Sequence, residues 1–337
     1  MVQETGAPRV SAGPESGITG RTAFLAVGVA AVIASVVQIG LGGVVRVTDS
    51  GLGCPDWPLC HGQVIPPFEF HTLIEYSHRL SASILGVVVL VSMIIVWRSF
   101  RVDALVVWTT TAALALVVVA GGLGGAAVLT ELEWWIVLLH LTIAETVTAL
   151  MIVATLAVWQ SGQPDSEQRV SGSGGGRFTK LVVLSMAGTF VVLLSGSYMV
   201  GQGYGATCIT WPLCQGDVLP TAEPQLVHMA HRFLTAIVGL ILAATVVAAW
   251  PHRAAGPQLR WAAALVAAVF LLQVSLGALT VWTVFATALK ALHLVGATLL
   301  WASVILLAGL TFVPGRVAYG RVLAGRARSP ELGAVTP

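Results

Sequence analysis

Charged side chains are scarce in this sequence, at 9% of its 337 residues. A soluble domain carries about 25%, so the shortage argues against a soluble protein, and no nucleic-acid partner is predicted. Apolar residues make up 56% of the chain, and the mean hydropathy is +0.88. These values indicate an integral membrane protein.

The sequence also lacks the alternating apolar pattern of barrel strands, and its first apolar run has no signal-peptide cleavage site. Instead it has continuous apolar runs of the roughly 20 residues that a helix needs to cross a bilayer. The eight predicted spans lie near 22–46, 70–97, 104–129, 134–159, 178–201, 224–250, 259–283 and 287–313.

Lysine and arginine are nearly absent from the loops on one side of these spans, where acids occur instead. The acids are Asp49, Asp56, Glu69, Glu131, Glu133, Asp217 and Glu223. The bases of the opposite side are Arg9, Arg21, Arg98, Arg101, Arg169, Arg177, Lys180, Arg253, Arg260, Arg316, Arg321, Arg326 and Arg328. This asymmetry predicts a multi-pass protein of the cell (plasma) membrane with both termini in the cytoplasm.

The two halves of the chain carry the same cysteines and histidines at a nearly constant offset. The offsets are 208 − 54 = 154 and 214 − 60 = 154 for cysteines, and 231 − 78 = 153 and 293 − 140 = 153 for histidines. A repeat this regular predicts two copies of one unit. We therefore expect an all-α integral membrane fold with eight transmembrane helices, arranged as two pseudo-symmetric four-helix bundles from an internal duplication.

Polar segments separate these predicted units. Residues 1–20 are rich in Gly, Pro, Ser and Thr, 161–176 in Gly, Ser and Gln, and 315–337 contain bases with Gly and Pro. Such compositions are typical of tails and linkers. The expected organisation is a disordered cytoplasmic tail at 1–21, a bundle at 22–160, a cytoplasmic linker at 161–177, a bundle at 178–313 and a basic cytoplasmic tail at 314–337.

Four histidines lie inside the predicted spans at one depth. They are His78, His140, His231 and His293, each about seven residues, or about 10 Å, inside the acidic-loop end of a span. Imidazoles at one depth on different helices are what heme ligation on both faces needs. A hydrogen-bonded structural histidine is the alternative, although intramembrane ionisable residues are usually functional.

Four bases break the charge asymmetry, because they lie near the acidic-loop ends of spans. They are Arg46, Arg79, Arg232 and Lys290. Pairing with the propionates of heme would explain their position, and snorkelling to lipid phosphate is the alternative. Glycines also cluster where heme or a neighbouring helix would approach: Gly40, Gly42, Gly43, Gly121, Gly122, Gly124, Gly125, Gly196 and Gly277. Close helix packing alone would explain any one of these glycines.

One carboxylate distinguishes the two halves. Glu75 lies one helical turn before His78, whereas the second copy has His228 at that position, since 228 − 75 = 153. The Glu75 half is therefore predicted to be the reacting half, with an ion pair to Arg79 as the alternative role of Glu75. Glu145 lies near the middle of its span. It could form a hydrogen bond to a neighbouring helix or take part in proton transfer, and the sequence does not decide between these roles.

The cysteines form two Cys-x5-Cys pairs in loops predicted to face outside, where disulfides persist. We expect the disulfides Cys54–Cys60 and Cys208–Cys214, serving either to staple the loops or to exchange with an external thiol protein or with substrate. A zinc site that adds His61 and His71 is weakly indicated, because the spacing is unusual and the second copy lacks both histidines.

At these residues the chain resembles the heme A synthase family. The shared motifs are Gly42-Gly43-Val44-Val45-Arg46-Val47-Thr48-Asp49-Ser50-Gly51-Leu52-Gly53-Cys54, then Glu75-x-x-His78-Arg79, His140, His231-Arg232 and His293, across roughly 22–313. The resemblance implies oxidation of the C8 methyl group of heme O to the formyl group of heme A, for cytochrome c oxidase. It implies heme O on His78 and His140 with Glu75 beside the methyl, a stable heme b on His231 and His293, and a redox role for Cys54 and Cys60.

The partners expected from this resemblance are heme O synthase as donor and the cytochrome oxidase assembly as recipient. An external thiol-redox protein and self-association into a homo-oligomer stay open. The alternative function is a quinol-linked dihaem b-type cytochrome, which would need no asymmetry at Glu75. A transporter is disfavoured because the repeats are parallel and lack paired Gly/Pro breaks at mid-membrane. A further alternative is a thiol-oxidising membrane protein, in which the cysteine pairs would be essential for activity and the histidines would be dispensable.

Overall fold

A computed structural model of the chain describes residues 14–162, 176–251 and 256–313. Its regular elements in these ranges are eight α-helices. They are α1 (Pro14–Val47), α2 (Phe70–Ser99), α3 (Ala104–Leu129), α4 (Trp134–Gln160), α5 (Arg177–Gly201), α6 (Glu223–Ala249), α7 (Pro257–Trp282) and α8 (Thr287–Phe312). All eight are long and apolar enough to cross a membrane, so the predicted all-α membrane fold is confirmed.

Hydropathy located the helix boundaries well, with one exception. Every boundary agrees with its predicted span to within two residues, except that α1 begins at Pro14 rather than at 22. Residues 14–21, expected as part of a disordered tail, are therefore helical. Proline is favoured in the first turn of a helix, and the Arg21 guanidinium donates to the carbonyls of Val158 and Trp159 at 3.3 and 3.0 Å. The start of α1 is thereby held against the end of α4.

Several predictions concern residues outside the described ranges. They are the remainder of the first tail at 1–13, the central linker at 163–175 and the basic tail at 314–337. The bases assigned there are Arg9, Arg169, Arg253, Arg316, Arg321, Arg326 and Arg328. The orientation expected from them stays a prediction.

The helices pack as two rings of four with the same connectivity. In the first half α1 contacts α2 and α4, and α3 contacts α2 and α4; in the second half α5 contacts α6 and α8, and α7 contacts α6 and α8. The rings meet where α4 packs on α5 and α8 and where α1 packs on α8. A buried apolar cluster of Ile152, Leu193, Trp301 and Ile305 joins them. Helices α2, α3, α6 and α7 consequently lie away from this junction.

Contacts at the junction join residues that correspond in the two repeats. The Thr298 hydroxyl donates to Oε1 of Glu145 at 2.7 Å, and 298 − 145 = 153. The Arg46 guanidinium donates to the carbonyl of Val200 at 3.1 Å, and 200 − 46 = 154. Corresponding residues of two repeats touch only near the axis that relates the repeats, so an approximate twofold axis would run between α4 and α8.

Candidate functional site

Each half directs two imidazoles into its own interior. His78 and His140 project from α2 and α4, and His231 and His293 project from α6 and α8. Within each pair the two imidazoles lie in electrostatic range of one another. All four are partly buried. The structure thus brings the predicted ligands together as one pair in each half.

Every one of these histidines lies against a glycine of a neighbouring helix. A Cβ atom built on Gly42 would be 3.0 Å from Cε1 of His78, and one on Gly124 would be 3.5 Å from Cε1 of His140. In the second half a Cβ on Gly196 or on Gly277 would be 3.1 Å from Cε1 of His231 or of His293. Carbon atoms in contact are normally about 3.5–4.0 Å apart. At least three of the four imidazoles therefore occupy space that only glycine leaves open.

Four of the nine clustered glycines therefore lie beside a proposed ligand. They occupy corresponding positions in the two halves, since 196 − 42 = 154 and 277 − 124 = 153. Among the others, a Cβ on Gly125 would be 2.7 Å from the Trp57 indole, whereas Gly121 and Gly122 face open space. Helix packing alone does not explain a repeated glycine under each histidine.

The hydrogen bonds of the imidazoles differ between halves. Gln38 Nε2 lies 3.1 Å from Nδ1 of His78, and the Ser81 hydroxyl donates to Oε1 of the same glutamine. Ser195 Oγ lies 2.8 Å from Nδ1 of His231, and the Gln273 amide donates to the backbone carbonyl of His293 at 2.9 Å. Sequence reasoning missed these four polar residues, although a glutamine inside an apolar span is itself a signal.

The four partly buried imidazoles are suited to binding heme, which would be a further partner for their ring nitrogens. Nδ1 of His140 and Nδ1 of His293 are buried and have no hydrogen-bond partner among the described residues. Buried polar atoms are rarely left without partners. Paired imidazoles at one depth, each with a glycine beside its ring, are a donor set suited to iron held on both faces. We find no cluster of three or more His, Cys, Asp or Glu side chains with metal-binding geometry in the described part of the chain.

Glu75 is buried, at 4% exposure, and links α2 to the first cysteine loop. Its Oε2 accepts the backbone N–H of Cys54 at 2.8 Å, and its Oε1 pairs with Arg79 at 2.6 Å. The ion pair considered from the sequence is thus present, and the carboxylate also contacts the disulfide loop. At the corresponding position, His228 Nε2 lies 3.3 Å from the Arg232 guanidinium.

Both predicted disulfides, Cys54–Cys60 and Cys208–Cys214, are present and buried. One arginine holds each loop through its carbonyl groups. Arg79 donates to the carbonyls of Cys54, Asp56 and Leu59, and Arg232 donates to those of Cys208, Thr210, Pro212 and Leu213. These arginines therefore brace the loops, whereas their propionate role and that of Arg46 and Lys290 stay predictions.

The side chain of Asp56 connects two parts of the first cysteine loop by hydrogen bonds. Its carboxylate accepts the backbone N–H groups of His61 at 2.6 Å and Gly62 at 2.8 Å. The hydrogen bond from Gly62, followed by that from His61 and the charge of Arg79, holds the pKa of Asp56 below its usual value of 3.8. Thr210 takes this place in the second loop, where its hydroxyl accepts the N–H of Gln215 at 2.7 Å.

The two loop histidines proposed for zinc have other partners. His61 Nε2 lies 2.9 Å from the carbonyl of Gly53, and His71 Nδ1 lies 2.9 Å from the Ser50 hydroxyl. Both cysteines of this loop are joined to each other. A zinc site there would lack its thiolate ligands.

Glu145 is fully buried at the junction of the halves. Besides the bond from Thr298, its backbone carbonyl accepts the Trp301 indole N–H at 2.9 Å, and its Oε2 has no partner among the described residues. Of the two roles left open by the sequence, bonding to a neighbouring helix is the one that the structure shows.

Comparison with known proteins places these features in one family. The sequence model described as cytochrome oxidase assembly protein (COX15-CtaA) matches residues 23–71 and 67–305. The chain is 28% identical to a heme A synthase of Geobacillus kaustophilus, over 72% of this chain and 77% of that protein. It is 29% identical to heme A synthases of Geobacillus thermodenitrificans, over 72% and 77%, and of Alkalihalophilus pseudofirmus, over 60% and 68%.

Proposed function

The chain belongs to the COX15-CtaA family of cytochrome oxidase assembly proteins, and we propose that it is a heme A synthase. In this proposal it oxidises the C8 methyl group of heme O to a formyl group through a hydroxylated intermediate. The product, heme A, would supply cytochrome c oxidase. The observation that carries the proposal is the pair of partly buried histidines in each half, each ring lying beside a glycine. The chain is also similar to proteins named heme A synthase.

We assign the two halves different roles because Glu75 occurs in only one of them. His78 and His140 would ligate the iron of the substrate heme O, and His231 and His293 would hold a resident heme b. When bound, heme b would supply a one-electron acceptor or donor near the reacting half. Ser195, which lies 2.8 Å from Nδ1 of His231, would then orient that ring.

In the proposed reaction the methyl group takes one oxygen atom from water and loses four electrons and four protons in two two-electron oxidations, first to the alcohol and then to the aldehyde. The electrons would leave one at a time through the bound heme b to an electron acceptor outside this chain. Positive charge that develops at the methyl carbon needs a nearby anion, and an entering water needs a base. Glu75 can serve in either way, because its carboxylate lies one helical turn from His78 and is held in place by the Cys54 N–H and Arg79. This arrangement supports Glu75 as the catalytic carboxylate.

The same contacts connect Glu75 to the disulfide of the first loop. Cys54 contributes the N–H that Glu75 accepts, and it is joined to Cys60. Reduction of this disulfide would free the loop and so change the position of the carboxylate. We propose that Cys54 and Cys60 take part in the redox chemistry, with an external thiol-redox protein as their partner. The second half has His228 instead of a carboxylate at the position of Glu75, and we therefore assign the corresponding pair Cys208–Cys214 a stapling role.

We also propose a plasma-membrane location with cytoplasmic termini, so that the cysteine loops face outside. Heme O synthase would then deliver substrate within the same membrane, and the cytochrome oxidase assembly would receive the product. Expression in cells that make heme O but not heme A tests the reaction itself. Heme A or its hydroxylated intermediate should appear in extracted hemes only when this protein is present.

The catalytic role of Glu75 has a matched control in the repeat. Glu75→Gln should abolish heme A formation while heme b stays bound, whereas His228→Gln at the corresponding position should retain the activity. Normal heme A production by Glu75→Gln would show that the assignment is wrong. A purified protein that binds two permanent hemes b and never yields heme A would instead identify the dihaem electron carrier.

A further inference from the structure

A cavity of about 300 Å³ lies far from the histidines, between the end of α6 and the start of α7. Trp250, Pro257, Arg260, Trp261 and Ala264 line it. Trp250 directly follows α6, 19 residues after His231 (250 − 231 = 19), which is about 28 Å along a helix. The cavity therefore belongs to the opposite membrane boundary from the cysteine loops, and the proposed reaction does not use it.

The corresponding place in the first half shows how this cavity arises. Trp97 and Trp108 correspond to Trp250 and Trp261, since 250 − 97 = 153 and 261 − 108 = 153. The Trp97 indole N–H donates to the Thr111 hydroxyl at 3.1 Å. The second half has Ala264 at the Thr111 position, since 264 − 111 = 153.

Two consequences follow from alanine at this position. The smaller side chain leaves space beside the Trp250 indole, and no described residue accepts its N–H. The second half also has Arg260 where the first half has Val107, since 260 − 107 = 153. The structure gives Arg260 no carboxylate partner among the described residues. A positive charge and an N–H donor without a partner among the described residues therefore line one open cavity at the surface, where Trp250 is 51% exposed.

This combination is suited to a phosphate group attached to a hydrocarbon chain. Guanidinium and indole N–H groups donate to phosphate oxygens, and arginine binds phosphate through several N–H groups at once. Trp261 and Leu265 are 76% and 44% exposed on the outer surface of α7, which offers an apolar path for an acyl chain. Tryptophan is enriched at membrane boundaries, and basic pockets between helices bind anionic headgroups.

We propose that this cavity binds the headgroup of an anionic phospholipid. Arg260 would pair with the phosphate, Trp250 would donate its indole N–H, and Trp261 would cover the first part of the acyl chain. The lipid would bridge the end of α6 and the start of α7.

Native mass spectrometry of the full-length, heme-loaded protein tests this site, with phosphatidylglycerol and phosphatidylcholine as probes. We expect retained phosphatidylglycerol adducts, weaker retention of phosphatidylcholine, and about a tenfold loss of phosphatidylglycerol binding in Arg260→Val. Ala264→Thr, which restores the side chain of the first half, should also reduce binding. Arg177→Val removes a base at the start of α5 that does not line the cavity, and it should bind lipid as the unaltered protein does. Unchanged heme content in each variant shows that the fold is retained.

The repeat also permits the reverse experiment. The double variant Val107→Arg with Thr111→Ala places the same features beside Trp97 and should add a second phosphatidylglycerol adduct. Equal retention of the two lipids, or binding that Arg260→Val and Ala264→Thr leave unchanged, would overturn the proposal.

Discussion

Replacing Gly196 with alanine tests whether the glycines position the proposed heme ligands. The new Cβ would be 3.1 Å from Cε1 of His231, about half an ångström closer than carbon atoms normally approach. Ser195 lies 2.8 Å from Nδ1 of this ring, so the imidazole cannot turn away without losing that contact. Disturbing the orientation of a metal ligand typically lowers affinity about 10- to 100-fold. We expect a loss of heme b of this size in Gly196→Ala.

The same substitution should not unfold the protein, because alanine is favoured over glycine in a helix by up to about 1 kcal/mol. Heme content per protein, measured as the pyridine hemochrome after purification, and heme titration of the depleted protein give the affinity. Thermal unfolding in the same detergent checks the fold. Gly277→Ala, with its Cβ 3.1 Å from His293, should behave in the same way.

Two matched glycines provide the controls. A Cβ on Gly124 would be 3.5 Å from His140, and one on Gly86 would be 3.7 Å from Val117, which are ordinary contacts. Gly124→Ala should therefore keep the binding of heme O in the first half, and Gly86→Ala should keep the heme content of both halves. Normal heme affinity in Gly196→Ala, or equal losses in all four variants, would refute the idea that these glycines position the histidines.

The other predictions concern the first loop and the junction. The pKa of Asp56 is lower in the folded protein than its usual value of 3.8. The ionised carboxylate therefore stabilises the first loop at pH values above about 3.8, and this stabilisation is lost as the pH falls through the pKa of the folded state. Hydrogen exchange should show the first loop losing protection below about pH 4 relative to the second, and Asp56→Asn should remove this difference; a parallel response of both loops would contradict it. Thr298→Val removes the donor to the buried Glu145 and should cost about 1–3 kcal/mol, seen as a lower unfolding temperature. Thr189→Val, at a buried hydroxyl that has no partner among the described residues, should cost nothing, and equal effects of the two substitutions would contradict the role of Thr298.

Much of the fold and of the candidate site could be predicted from the chain alone. Spans such as α3 and α4 follow from hydropathy, because a bilayer requires about 20 apolar residues per helix whatever the tertiary packing. The repeat identified the four histidines, the Glu75–His228 difference and both disulfides. Each of these is encoded in local composition or in spacing along the chain, which a reader of the sequence can count.

Other features depend on how the helices rotate and how the loops run, which no local pattern encodes. Nine clustered glycines were equivalent in the sequence, and only the packing of α1, α3, α5 and α7 shows which four lie beside imidazoles. The N-terminal part of α1 contacts the end of α4 through Arg21, which donates to carbonyls more than 130 positions away along the chain. Sequence reasoning also gave Arg79 no role in the cysteine loop, because the loop carbonyls that it binds are backbone groups common to every residue.

The sequence by itself determined the membrane fold, the repeated histidine pairs and the family resemblance, because hydropathy and spacing are properties of the linear chain. Only the tertiary structure decided that Glu75 contacts the Cys54 N–H, that Glu145 meets its counterpart Thr298 across the junction, and that Ala264 opens a cavity beside Trp250. Those contacts arise from the close packing of separate helices, in which a single methyl or hydroxyl group decides which atoms meet.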